Sequence, residues 1–151
     1  YNKAIDMLIK HVYMPSSTWK EEKCSSMRFI SICYKCLNRL DESEMWLKKS
    51  IKLLPGNKEN YCLLGFYYYE IKDYKKSIKY LLKADSIKEK SNNYINEEYA
   101  WNERVYDILS LCYFYIGDIK NSLKYVKLAV DINPNDERLK NNLEIILNVN
   151  K

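Results

Sequence analysis

Apolar positions recur at intervals of three and four along most of the chain, and the intervals repeat in phase. Met27, Ile30, Ser31 and Tyr34 are separated by 3, 1 and 3 residues, as are Tyr61, Leu64, Gly65 and Tyr68, and again Tyr106, Leu109, Ser110 and Tyr113. That spacing puts each set on one face of a helix. A second pattern follows each set: a small residue, then a large apolar one four positions later. It reads Ser43/Leu47, Ser77/Leu81 and Ser122/Val126, and Ala4/Leu8 gives a further copy near the start. On a helix, the small side chain lets a second backbone approach and the large one fills the groove beside it. The chain therefore predicts alternating first and second helices packed as antiparallel pairs.

Proline marks the same phase. Pro55 and Pro134 each fall 28 residues after the start of a first-helix set, at Met27 and Tyr106. A proline there stops one pair and opens the next. The pattern resembles the tetratricopeptide repeat, W-x2-L-G-x2-Y, then A-x3-F, then P, with a period of about 34 residues. Serine replaces the glycine at Ser31 and Ser110 and the alanine at Ser43, Ser77 and Ser122, small for small throughout. The fold this implies is all-α: a tetratricopeptide-type α-solenoid of antiparallel helix pairs in a right-handed superhelix.

As one repeat domain over 1–151, the chain divides into a second helix of a truncated repeat (1–15), repeat 1 (18–55), repeat 2 (57–90), a connection (91–97), repeat 3 (98–133) and a capping helix (134–149). From Cys24 to Lys58 is 34 residues, but from Lys58 to Glu103 is 45, and the excess of 11 falls around Lys88–Glu97. It is expected to form a longer exposed connection with extra helical turns at its sides. Thr18-x-x-Glu21 and Asp41-x-x-Glu44 read as capping boxes. Asn133 reads as the cap of a last helix with Pro134 at its first position. That helix carries Leu139, Leu143, Ile146 and Leu147 on one face. At the other end, Ile5, Leu8, Ile9 and Val12 form an apolar stripe that nothing upstream covers. With Tyr1 in place of Met, the stripe suggests a piece of a longer protein.

Composition narrows the possible functions. Only 3 Gly and 3 Pro stand against 15 Tyr, which suits long helices with short connections. The net charge of +5 is spread over scattered lysines, so no nucleic-acid partner is expected. No stretch approaches the roughly 20 apolar residues of a membrane span. The five cysteines, Cys24, Cys33, Cys36, Cys62 and Cys112, are odd in number and no signal peptide is visible, which points to a reducing, cytoplasmic compartment. Cys33-x-x-Cys36 lacks the two further ligands a zinc site needs and the βαβ setting of a redox motif, so the cysteines are read as packing residues and no metal is expected. His11, the one histidine, is read as structural. No nucleophile elbow, phosphate loop, zinc-protease motif or dinucleotide turn is present. Glu21-Glu22 and Glu97-Glu98 are neighbours that do not face one another on a helix. Neither catalysis nor a cofactor is expected of this chain.

A solenoid instead offers a concave groove lined by its first helices. Positions 2, 5, 9 and 12 of each repeat look into it. Here they are Ser25, Arg28, Ile32 and Lys35; Glu59, Cys62, Phe66 and Tyr69; and Arg104, Asp107, Leu111 and Phe114. Such a surface can take an extended peptide or a helix. The other reading, that several of these residues pack against neighbouring repeats, stays open. Ile32 and Leu63 stand where the family's chaperone-binding members place clamp asparagines, so that role is not expected. The run Phe66-Tyr67-Tyr68-Tyr69 points to all sides of a helix and is divided between core and surface.

Several segments are similar to a narrower group. They are Thr18-Trp19-Lys20-Glu21-Glu22, Ser26-Met27-Arg28-Phe29-Ile30, Cys33-Tyr34-Lys35, Trp46-Leu47-x-Lys49-Ser50-Ile51, Trp101-x-x-x-x-Tyr106-Asp107-Ile108-Leu109 and Pro134-x-Asp136-x-Arg138-Leu139-x-x-Asn142-Leu143. They resemble the C-terminal repeat region of bacterial family 2 glycosyltransferases. There the repeats follow an inverting, metal-dependent nucleotide-sugar domain of the GT-A type. The resemblance implies an accessory domain that recruits an acceptor or mediates self-association, possible homo-oligomers included. No donor-binding or base residue of that family carries over to any position here. Richness in Lys, Asn, Ile and Tyr fits a low-GC bacterial source. The alternative is a stand-alone adaptor or regulatory protein binding an extended peptide.

Overall fold

A computed structural model describes residues 1–92 and 95–149. Among these are α1 (Asn2–Tyr13), α2 (Lys20–Cys36), α3 (Leu40–Leu53), α4 (Lys58–Glu70), α5 (Tyr74–Asp85), a 3-10 turn at Glu98–Ala100, α6 (Arg104–Tyr115), α7 (Ile119–Ile132) and α8 (Glu137–Val149), with no strand. The helices pack in order as the pairs α2/α3, α4/α5 and α6/α7, with α1 against α2 and α8 against α7. This is an α-solenoid of the tetratricopeptide type.

Each pair turns over the same device. Asn38, Lys72 and Gly117 adopt φ of 57°, 63° and 81°, just past the ends of α2, α4 and α6. The amide three residues beyond each helix then reaches back to a tyrosine carbonyl: Arg39 to Tyr34 at 2.9 Å, Asp73 to Tyr68 at 2.8 Å and Asp118 to Tyr113 at 2.9 Å. This left-handed closure satisfies carbonyls that the helix ends leave open. The tyrosine that ends each first-helix set therefore also anchors the turn. Two of the next helices are capped at once: Asp73 accepts from the Lys76 amide at 3.1 Å and Asp118 from the Asn121 amide at 3.0 Å.

The pairs cross where the small residues meet. Ser31 and Ser43 share a hydroxyl hydrogen bond at 2.8 Å, Ser77 donates to the Gly65 carbonyl at 2.8 Å, and Ser110 donates to the Ser122 carbonyl at 3.0 Å. Buried hydroxyls are thus paired within the crossing, where an unpaired one would be costly. Leu64, Leu81, Leu109 and Val126 fill the space beside these crossings and are fully buried.

The structure corrects three capping assignments. α2 begins at Lys20 with Trp19 at its cap position and no side-chain cap, so the Thr18–Glu21 box does not form. α3 begins one residue before Asp41, which lies inside the first turn, where its charge suits the helix dipole. Asn133 closes α7, and Pro134 lies in the following turn rather than in a helix. The cap of α8 is Asp136, which accepts from the Arg138 amide at 2.8 Å and the Leu139 amide at 3.4 Å.

The stripe on α1 is also covered, from downstream. Ile5 and Val12 are buried against Met27, Ile30 and Trp46, with Leu8 and Ile9 partly buried beside them. Met7 and Tyr13 are left outside on this helix, and so is Ala4, so the small residue of the Ala4/Leu8 copy does not sit in a crossing. On α8, Leu139 and Ile146 are buried, whereas Leu147 is exposed.

Candidate interaction groove

α2, α4 and α6 lie side by side and form the inner wall of the solenoid, as the first helices of a repeat stack do. The segment after α5 changes what this wall presents. The sequence predicts an exposed connection here. Residues 88–92 are exposed, but from Ile95 onward the chain folds back onto α4 and α6 and forms part of the wall. Asn93 and Tyr94, which belong to the expected 91–97 connection, lie outside the described residues.

Three side chains of this arm seat in the groove. The Trp101 indole donates to Glu59 Oε1 at 2.8 Å. The Tyr99 ring meets Phe66 edge-on, with centroids 6.0 Å apart. Glu97 lies 3.6 Å from the Arg28 guanidinium, and its amide donates to Glu59 at 3.4 Å. Ala100 is fully buried in the central core with Leu109 and Cys112. Burial drives the Tyr99 phenol far above its ordinary pKa, so it stays neutral.

The twelve groove positions consequently have different surroundings. Arg28, Glu59, Cys62, Phe66 and Asp107 are buried, at 2%, 1%, 0%, 4% and 5% exposure. Arg28 donates from Nη1 to Asn60 at 3.1 Å and to Asn57 at 3.4 Å. Glu59 accepts from Asn57 at 2.8 Å as well as from the arm. Burial pushes the Cys62 thiol up to about 12 and the Cys112 thiol up to about 11, which makes both inert. Asp107 pairs with Arg138 of α8 at 2.9 Å, although burial still holds its carboxyl above the ordinary range. Tyr69 is half-buried, with its ring 6.1 Å from Tyr74.

The remaining positions are open to solvent in whole or part. Ser25 is partly exposed near α1. Ile32, Lys35 and Arg104 are exposed around a depression of about 190 Å³ whose floor includes Leu63 and Phe66. Lys35 is bonded to Glu70 across α2 and α4 at 2.8 Å, and the Arg104 guanidinium stacks on Phe66 at 4.6 Å. Ile32 and Leu63, at the positions of the absent clamp, give the depression its apolar character. Farther along, Leu111 and Phe114 line a second depression of about 160 Å³ with Ile145 and Ile146 of α8.

Outside the groove, His11 hydrogen-bonds Ser26 at 2.8 Å and ties α1 to α2. Cys33 is half-buried and Cys36 exposed. Among the described residues, no group of three His, Cys, Asp or Glu is placed to hold a metal, and no helix is long and apolar enough to cross a membrane.

Periodicity overlooks Trp101, Tyr99 and Asn60, because none belongs to a repeated face. The one available signal is the tryptophan itself, a large apolar residue just past the insertion and outside the repeated faces. We expect Trp101→Phe to keep the arm's apolar contacts and remove the bond to Glu59. Losing a hydrogen bond to a buried charged group should cost about 1.5–2 kcal/mol. A urea melt followed by circular dichroism measures it.

A family model for the tetratricopeptide repeat matches residues 59–91 and 103–136. No curated protein matches the chain in sequence. Solved structures share its fold. The crystal structure of MamA superposes with a TM-score of 0.77 at 16% identity, over 99% of this chain and 78% of that one. YrrB, described as a TPR protein with an unusual peptide-binding site, gives 0.68 at 18% identity, over 81% and 57%. The first TPR of Spaghetti (RPAP3), bound to the HSP90 peptide SRMEEVD, gives 0.71 at 16% identity, over 85% and 94%.

Proposed function

We propose that this tetratricopeptide solenoid is a protein-interaction scaffold that holds an extended peptide in the part of its groove left open by the arm. The observation that carries this is the depression between α2, α4 and α6. It has an apolar floor, Leu63 and Phe66, and charged groups on its rim, Lys35, Glu70 and Arg104. An apolar anchor flanked by chain-orienting charges is how grooves recognise short segments. Two structural neighbours, YrrB with its peptide-binding site and the Spaghetti (RPAP3) repeat bound to an HSP90 peptide, support the reading. The arm limits the length of peptide the groove can take, because Glu97, Tyr99 and Trp101 already occupy its other part.

The test is to pan a displayed random-peptide library against the chain and measure the selected peptides on variants. Ile32→Asp and Arg104→Glu both change exposed side chains, so their melting temperatures should stay close to the parent's. We expect the selected peptides to bind each variant at least about tenfold more weakly, the scale of losing a central contact. Peptides that bind both variants as well as the parent would place the site elsewhere.

The resemblance to the C-terminal repeats of family 2 glycosyltransferases supports a second version of the same scaffold. In it, the groove orients a protein acceptor for a catalytic domain in the same polypeptide. The stand-alone adaptor is equally consistent with the repeats. Reading the gene upstream of Tyr1 separates the two: an α/β domain bearing D-x-D supports the transferase, and a start codon close to Tyr1 excludes it.

A further inference from the structure

Apart from Arg104, which lies over Phe66, the groove's cations are paired with carboxylates, and much of the outer side of the solenoid is not. Lys35 has Glu70, Arg138 has Asp107, and Arg28 has Glu97. The second helices α5 and α7 instead present Lys75, Lys79 and Lys83, and Lys120, Lys124 and Lys127. All six are exposed, and none is within ion-pair distance of a carboxylate among the described residues. Spacings of three and four keep each trio on one helix face. Setting these six aside leaves 19 cations against 20 acids in the whole chain. Counted over their own spans, α5 and α7 carry seven lysines and two acids, a net charge of +5 that equals the excess of the whole chain. Two acids stand on the same helices: Asp85 is engaged by Tyr106 and Lys88 at 2.8 Å each, and Asp131 is exposed near the end of α7.

The same surface holds apolar residues between the lysines. Leu82 and Leu128 are each 37% exposed and Ile132 is 47% exposed. We propose that the outer face of α5 and α7 docks onto an anionic lipid surface, with the lysines at the headgroups and Leu82, Leu128 and Ile132 at the acyl boundary. Lysine stems reach past apolar neighbours to keep their charge at the interface. The chemistry favours lipid over nucleic acid. The face carries no arginine for bidentate phosphate contacts. Its aromatic rings are also engaged, with Tyr80 stacked on Tyr68 at 5.4 Å and Tyr125 on Tyr113 at 5.5 Å, so none offers a free face to a base. The third outer helix, α3, does not join in, because its Lys48, Lys49 and Lys52 are offset by Asp41, Glu42 and Glu44 on the same helix.

Vesicle co-sedimentation tests this. The chain should pellet with phosphatidylcholine vesicles containing phosphatidylserine and not with phosphatidylcholine alone. Each juxtamembrane lysine contributes roughly fivefold to such binding. The triple variant Lys75→Glu, Lys79→Glu, Lys124→Glu should therefore bind at least roughly a hundredfold more weakly. A control with the same change in net charge away from the outer helices, Lys3→Glu, Lys10→Glu, Lys20→Glu, should lose far less. Both variants alter exposed residues, and unchanged circular-dichroism melts show that each is folded. Equal losses in the two variants, indifference to phosphatidylserine, or tighter capture of single-stranded DNA than of the vesicles would each overturn the proposal.

Discussion

Arg28→Glu should destabilise the fold rather than merely weaken a partner. The Arg28 side chain is buried, its Nη1 binds Asn60 and Asn57, and its Nη2 faces Glu97. Glu59, itself buried, shares Asn57 as a hydrogen-bond partner. Charge reversal would set a third carboxylate near Glu59 and Glu97 and remove the guanidinium that faces Glu97. Leaving a buried charge without its partner costs about 3–5 kcal/mol, a large part of a stability that is typically about 5–15 kcal/mol for a domain. The melting temperature should fall by roughly 10 °C or more, at about 2–4 °C per kcal/mol for a chain of this size. Arg104→Glu, on the exposed rim, should leave it almost unchanged. Adding Glu97→Arg to the Arg28 variant should recover part of the loss. If Arg28→Glu melts with the parent, the arm is not seated as described and the full groove is open.

The contrast between these two arginines shows which parts of the site could be read from sequence. Both occupy positions that look inward from a first helix, and repeat phase alone treats them alike. What separates them is the insertion, whose contacts reach across 38 to 42 residues, from Glu97 and Trp101 back to Glu59. A segment without period carries no local sign of where it will land, so Arg28 and Phe66 read as an open binding surface when they are the arm's seat. The α1 stripe is a related case. Its spacing shows that something must cover Ile5 and Val12, but not that α2 does so from the downstream side. The capping errors are more local. A serine, threonine or aspartate near a helix start competes with its neighbours for the cap, and Asp73 and Asp118 won because the left-handed closures before them fix where the next helix begins.

The pairing itself was legible because it rests on side-chain size at a fixed phase. Ser31, Gly65 and Ser110 fall at one phase of the first helices, and Ser43, Ser77 and Ser122 at one phase of the second. Each pair meets twelve residues apart in sequence. No distant contact is needed to specify that crossing, which is why the fold class followed from the sequence while the surroundings of the groove did not.

The same crossing gives the second large effect, and it depends on which repeat is changed. Serine stands at this phase in two repeats, yet Gly65→Ser should destabilise the middle one, and Gly65→Val should do so more strongly. A Cβ at Gly65 would lie 2.5 Å from both Cγ and Cδ2 of Leu81. Leu81 is fully buried, so it cannot swing into solvent. Its backbone amide is 3.4 Å from the same point, an ordinary contact, so the collision is with the Leu81 side chain. Forcing extra atoms into a filled core costs about 1–3 kcal/mol for a small addition, set against a gain of up to about 1 kcal/mol from replacing a mid-helix glycine. The β-branched valine adds two methyl groups to the same clash and should cost about 3 kcal/mol or more. The decisive comparison pairs Gly65→Val with Gly65→Val, Leu81→Ala. The second substitution removes the colliding atoms, so the double variant should be less unstable than the sum of the singles by about 1–3 kcal/mol. Additive losses would mean that Gly65 and Leu81 do not meet, and that α4 and α5 cross elsewhere.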